Sequence, residues 1–146
     1  MRPILPFLVP VYAALREPAY ALMRVTAGGF LVPHGLWKLF GITGSREAMI
    51  AFFSDIGLEP AVLLNNAVGI VECFGGICIV LGLLTRPAAL AAAITTGTAA
   101  VFVHLGALYV EEGGIEFSAI WAVVLLYIAV AGGGRISLDR LIGREF

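Results

Sequence analysis

Four apolar runs, each close to the length that crosses a bilayer, constrain this chain more than any other feature. They read as spans of about 18–40, 61–84, 87–109 and 115–131. Each is near the ~17 to 25 residues needed to traverse a hydrocarbon core of about 30 Å. Pro18 and Pro87 are expected at helix starts, where a missing N–H costs nothing. Gly41, Gly113-Gly114 and Gly132-Gly133-Gly134 mark ends and turns. Composition agrees: 60% of the residues are hydrophobic and 13% are charged, a balance foreign to a soluble domain of 146 residues. The predicted fold is an all-α membrane protein, a single-domain antiparallel bundle of four transmembrane helices.

Between the first two spans, Ala48, Met49, Phe52, Phe53 and Ile56 recur at helical spacing. A short interfacial helix over about 45–57 is therefore expected, started near Ser45 and stopped at Gly57. Thr85-Arg86-Pro87 is tight enough to force spans two and three into a hairpin. The first fifteen residues carry one basic residue, Arg2, before an apolar stretch. Pro3, Pro6 and Pro10 interrupt that stretch, so it reads as an interfacial or poorly ordered segment rather than a cleaved signal peptide. With four alternating spans, Arg2, Arg16, Arg86, Arg135, Arg140 and Arg144 share one side. Lys38, Arg46 and most of the acidic residues share the other. The positive-inside rule then puts both termini in the cytoplasm. A net charge of −1 offers no basic face to nucleic acid. Cys73 and Cys78, five apart on one helix, point roughly 140° from each other and read as buried small hydrophobes.

The few charges that remain inside the runs define a candidate site. An ionisable group at mid-membrane costs at least ~2.5 kcal/mol, so it is paired, wet or functional. Arg24, Gly28, Leu31, Gly35 and Lys38 share one face of the first span, with His34 at its edge. Asn65, Gly69, Glu72 and Gly76 form a stripe on the second span, and Ala93, Gly97, Ala100 and His104 on the third. A rise of about 1.5 Å per residue places His34, His104, Asn65 and Glu72 in the outer half of the membrane, with Arg24 in the inner half. Glu72 is too deep to escape and needs either a proton or a cation, for which Arg24 is one candidate. Arg24 and Lys38 could equally snorkel to the interfaces.

These motifs coincide with those of a known family. Arg24 and Gly28 are followed by Pro33-His34-Gly35-Leu36-Trp37-Lys38-Leu39-Phe40-Gly41, then Phe52-Phe53, Gly57-Leu58, and Glu72 with Gly75-Gly76. Leu81-Gly82-Leu83-Leu84-Thr85-Arg86-Pro87-Ala88-Ala89 and His104 complete the set. Over about 19–134 the chain resembles the DoxX family of small four-span bacterial inner-membrane proteins. The resemblance implies a membrane subunit like that of a thiosulfate:quinone oxidoreductase, or a component of a redox or detoxification system. Arg24, His34, Lys38, Glu72 and His104 carry over as family-type positions.

Three classes of function remain open on the sequence. In a quinone-linked or redox-stress oxidoreductase system, Glu72, His34 and His104 would exchange protons or hydrogen-bond the substrate. Arg24, Lys38 and Asn65 would supply ion pairs or binding contacts. The chain has no CxxC, dinucleotide fingerprint or iron–sulfur cysteine set, so its electrons would come from a redox partner protein or another cofactor. Alternatively, His34, His104 and Glu72 could ligate a metal, or the two histidines a haem, in a binding or transport protein for a metal or small solute. A non-catalytic anchor or assembly subunit, whose polar cluster only locks helix packing, is the third reading. Besides lipid, self-association into an oligomer is open.

Overall fold

The computed structural model describes residues 4–144. Every regular element among them is helical. Helix α1 spans Val9–Phe40 and α2 spans Arg46–Asp55. Helix α3 runs continuously over Ala61–Leu81 and widens into a π turn at Val71–Gly75. Helices α4 (Thr85–Phe102), α5 (Glu116–Ala131) and the short α6 (Leu138–Ile142) follow.

The element order follows the sequence reading, and the boundaries differ for physical reasons. α1 begins well before Pro18, because Pro10 takes the first-turn position and leaves Pro18 and Pro33 inside the helix. Residues 9–15 of the segment predicted to be interfacial or poorly ordered are thus the first turns of α1, and Pro6–Leu8 is a 3-10 turn leading into it. Residues 1–3, which include Arg2 and Pro3, lie outside the described residues. At its far end α1 stops on Gly41, whose φ of 69° lets its N–H reach the Trp37 carbonyl at 2.9 Å. α2 starts as expected: the Ser45 hydroxyl accepts from the Ala48 N–H at 3.1 Å. α3 ends at Leu81 rather than Leu84, since Gly82 and Leu84 both take positive φ in the turn into α4.

Helix α4 stops at Phe102 instead of reaching Tyr109. The backbone beyond Gly106 is claimed by a closed loop. Ile115 and Glu116 donate N–H groups to the Ala107 and Leu108 carbonyls at 3.1 Å, and Gly114 donates to Tyr109 at 2.8 Å. His104 consequently lies past the end of α4 in that loop.

Helices α1 and α3 run antiparallel in backbone contact. Arg24 lies at Ile79 and Val80, Gly28 at Gly76, Gly35 at Cys73, and Lys38 at Gly69 and Asn65. A Cβ on Gly28 would stand 2.7 Å from the Gly76 carbonyl oxygen, and one on Gly35 would stand 2.3 Å from the Cys73 nitrogen. Only glycine permits this approach, and close approach is what joins helices where no hydrophobic effect can. An apolar cluster of Ala27, Leu31, Ile79, Ala89, Ala92, Ala93, Leu125 and Ile128 ties α1, α3, α4 and α5 together. Arg86 binds the Val130 carbonyl at 2.6 Å, holding the start of α4 against the end of α5.

The distribution of polarity differs from that of a soluble domain. Arg24, Asn65 and Thr85 are no more than 2% exposed, whereas Leu22, Phe30, Ile94 and Val130 are each more than 60% exposed. Such an apolar skin, over a core that also holds charged and polar side chains, suits lipid as the surrounding solvent. One helix among the described residues, Ala61–Leu81, is long and apolar enough by itself to cross a membrane, and α5 is apolar but shorter.

Candidate functional site: a buried ion pair on a π turn

The charged residue deepest in α3 finds its partner on α1. Lys38 Nζ lies 2.7 Å from Glu72 Oε2, and the two side chains are 9% and 14% exposed. The partner is therefore Lys38, not Arg24. Two features of the sequence build this pair. The α1 stripe continues one turn past Gly35 to Lys38, and Gly69 beside it provides the space, since a Cβ there would meet Lys38 Cβ at 3.1 Å. The π turn then adds a residue to one turn of α3. In a regular helix Asn65, Gly69, Glu72 and Gly76 would share one line. Here Cys73 takes the central position against Gly35, and Glu72 flanks it within reach of the Lys38 ammonium.

Beside the pair lies a buried neutral amide. Asn65 is fully buried and donates from Nδ2 to the Lys38 carbonyl at 2.9 Å, while its Oδ1 has no hydrogen-bond partner. Its neighbour Asn66 points elsewhere and accepts from Arg46 at 2.8 Å, tying α2 onto α3. Trp37 donates to the Ser45 carbonyl at 3.2 Å and packs against Gly44, fixing the loop that leads into α2. The Arg46–Asn66 link between α2 and α3 escaped the sequence reading. The Asn65-Asn66 pair within an apolar run is the signal that could have shown it.

The two histidines do not join it. His34 lies on the exposed side of α1, with no hydrogen-bond partner among the described residues. It stands four residues from Lys38, one turn away on the same helix. His104 sits in the loop after α4, its Nδ1 2.7 Å from the Gly113 carbonyl. No group of three or more His, Cys, Asp or Glu side chains suited to a metal occurs among the described residues. The structure thus does not assemble a ligand set from His34, His104 and Glu72: one faces outward, one closes a loop, and one is paired with an amine.

Arg24 instead organises the opposite end. Its guanidinium donates to the carbonyls of Ile79, of Val80 at 2.9 Å and of Ile136 at 2.6 Å, while its Nε has no partner. Beside it, Asp139 accepts from the Leu84 N–H at 2.8 Å, the Thr85 N–H at 3.0 Å and the Thr85 hydroxyl at 2.7 Å. A residue from α6 therefore caps the start of α4. Burial alone would push the Asp139 carboxyl up; the Thr85 N–H and hydroxyl, the Leu84 N–H and the Arg24 charge outweigh it and hold it below the usual range. Tyr20 adds a hydrogen bond to the Gly132 carbonyl. Arg24 and Asp139 together clamp the C-terminal segment onto the α3–α4 turn.

An apolar exterior and glycine-mediated helix contacts define a helical membrane protein, with a largely buried Lys–Glu pair between two of its helices. The sequence comparisons agree, and the chain belongs to the DoxX family, whose model matches residues 19–105. It is 30% identical over 121 residues to a Bacillus subtilis protein named "Putative oxidoreductase CatD", covering 83% of this chain and 84% of that one. It is 27% identical over 135 residues to the inner membrane protein YphA of Escherichia coli, covering 88% and 94%. A Haemophilus influenzae protein of undescribed function is 28% identical over 129 residues, covering 82% and 87%. No solved structure matches significantly.

Proposed function

We propose that this chain is a four-span inner-membrane subunit of an oxidoreductase system, with both termini in the cytoplasm, and that Lys38, Glu72 and Asn65 form its site for the polar group of a lipid-soluble redox compound such as a quinone. The oxidoreductase name of the Bacillus relative supports the class. The observation that carries the site is the buried Lys38–Glu72 pair beside the unsatisfied Asn65 Oδ1. An ion pair kept in a low-dielectric interior brings little stability over an apolar pair of the same shape, so packing alone does not require it. Its chemistry fits a quinone. The Lys38 ammonium keeps donors beyond the one given to Glu72 and could serve a carbonyl, and a quinol hydroxyl could donate to Asn65 Oδ1.

A quinone bound here would supply two-electron redox chemistry. The residues would supply charge and protons, with Glu72 exchanging a proton and Lys38 stabilising negative charge on oxygen. His34, on the lipid-facing side of α1 one turn from Lys38, would form the rim that such a compound passes. His104 closes the outer loop and takes no part in the chemistry. Electrons would come from a partner protein.

Trp37 adjoins Lys38 and provides the test. In a Trp121→Phe variant Trp37 is the only tryptophan, and a short-chain quinone should quench its fluorescence saturably. Lys38→Met with Glu72→Leu should abolish the saturable component. Quenching that is linear in quinone, or unchanged in the double variant, would refute the site.

The anchor reading rests on a different observation, the direct bridge that the same pair makes between α1 and α3. It requires that the double variant keep both its fold and the activity of the assembled system.

A further inference from the structure

The end of the molecule held by Arg24 and Asp139 carries two adjoining cavities that the proposed redox site does not use. One, of about 550 Å³, is lined by Arg135, Arg140 and Arg144 together with Glu17 and Asp139. The other, of about 420 Å³, is lined by Ala19, Tyr20, Met23, Tyr127 and Ala131, with Arg16 among its lining residues. They meet at Glu17 and Gly134, which line both. Gly134 sits at φ 72°, with a Cβ position 2.9 Å from the Tyr20 ring, so only glycine keeps this junction open.

The charges in the first cavity are unequally committed. Glu17 accepts from the Arg135 N–H at 3.1 Å and lies 3.9 Å from its guanidinium nitrogen. Asp139 is saturated by Leu84 and Thr85. The guanidiniums of Arg140 and Arg144 have no hydrogen bond or ion pair among the described residues. A basic cavity with two uncommitted guanidiniums, opening onto a slot of aromatic and aliphatic side chains, is complementary to one chemistry: an anionic phosphate ester on an apolar tail. The guanidiniums lie beside Glu17, two turns into α1, and just beyond the end of α5 at Ala131, on the side that the proposed orientation gives to the cytoplasmic headgroups.

We infer that this cleft is a binding site for an anionic phospholipid, with its phosphate on Arg140 and Arg144 and an acyl chain along Tyr20, Met23 and Tyr127. The inference depends on the membrane placement of the chain and is independent of the redox reading. A lipid held here would bridge α1, α5 and the C-terminal segment, adding to the clamp made by Arg24 and Asp139.

The test is a titration of the detergent-purified full chain with phosphatidylglycerol, phosphatidylethanolamine and glycerol 3-phosphate, read as bound lipid by native mass spectrometry and as the shift in Tm. Phosphatidylglycerol should bind saturably and raise Tm. Arg140→Gln and Arg144→Gln, both at exposed positions, should each weaken it about fivefold, from a contribution near 1 kcal/mol per basic residue at an anionic lipid surface, without changing the lipid-free Tm. Ala131→Phe, which fills the slot, should weaken phosphatidylglycerol binding. Equal binding of phosphatidylethanolamine, or unaltered phosphatidylglycerol binding in the double arginine variant, would overturn the proposal. Glycerol 3-phosphate binding as tightly as the lipid would also overturn it, by assigning the arginines to a free phosphate ester. Glu72→Gln should leave lipid affinity unchanged, which separates a failure here from a failure of the redox site.

Discussion

Lys38→Met removes the ammonium from a pair whose side chains are 9% and 14% exposed. It leaves the Glu72 carboxyl against the α1–α3 interface with no cation. Breaking one partner of a buried pair costs about 3–5 kcal/mol, because the remaining group has neither water nor a counter-charge. For a chain of 146 residues, each kcal/mol lowers Tm by roughly 2–4 °C, so a fall of about 6–20 °C is expected. Glu72→Leu should cost less, about 1–3 kcal/mol. Lys38 lies near the end of α1, and its long stem lets the ammonium move toward water. The double variant Lys38→Met, Glu72→Leu replaces two charges by apolar groups of similar volume. It should recover to within about 1–2 kcal/mol of the parent, leaving a coupling energy of at least ~2 kcal/mol between the sites. Thermal unfolding of the four proteins in one mild detergent, read by circular dichroism, measures the cycle. A double variant as unstable as the two singles added together would refute the reasoning, because it would show that the groups are solvated independently.

Gly35→Ala should lower Tm by an amount matching about 1–3 kcal/mol of overpacking or more, since its Cβ would stand 2.3 Å from the Cys73 nitrogen. Gly29→Ala on the same helix, with no neighbour nearer than 3.9 Å, should be neutral or slightly stabilising in the same unfolding assay. Arg24→Met removes the donors from the Ile79, Val80 and Ile136 carbonyls. It should release the C-terminal segment, seen as faster proteolysis near Arg135. Asp139→Asn tests the cap on α4. The Asp139 pKa is lower folded than unfolded, so its stabilisation is complete above the unfolded aspartate value and is lost as pH falls through the folded one. The difference in Tm between parent and Asp139→Asn should therefore shrink in acid and persist at neutral pH.

Much of the framework was legible because side-chain period maps directly onto helix faces. The stripe of Arg24, Gly28, Leu31, Gly35 and Lys38 is buried as the spacing requires, and so are Asn65, Gly69 and Gly76. Ser45 starts α2 because a hydroxyl three residues before a free N–H is a local signal. What escaped was nonlocal. No sequence pattern announces the π turn, so the swap that puts Cys73 in the centre and Glu72 beside Lys38 could not be read. Arg24 binds backbone carbonyls, which every residue offers, whereas the sequence suggested only a carboxylate partner or the interface. Asp139 caps a helix start more than fifty residues away in the chain, and no spacing rule reaches that far. His104 looked like the end of an apolar helix because the loop that ends α4 is itself apolar apart from its glycines and glutamates.

The most direct measurement is the quinone content of the chain purified from its native membrane in mild detergent, extracted and quantified per polypeptide. The proposed site predicts near-stoichiometric quinone in the parent and a loss of most of it in the Lys38→Met, Glu72→Leu variant, with the fold retained. Equal quinone in the two proteins, or none above the level carried by detergent-solubilised lipid, would contradict it.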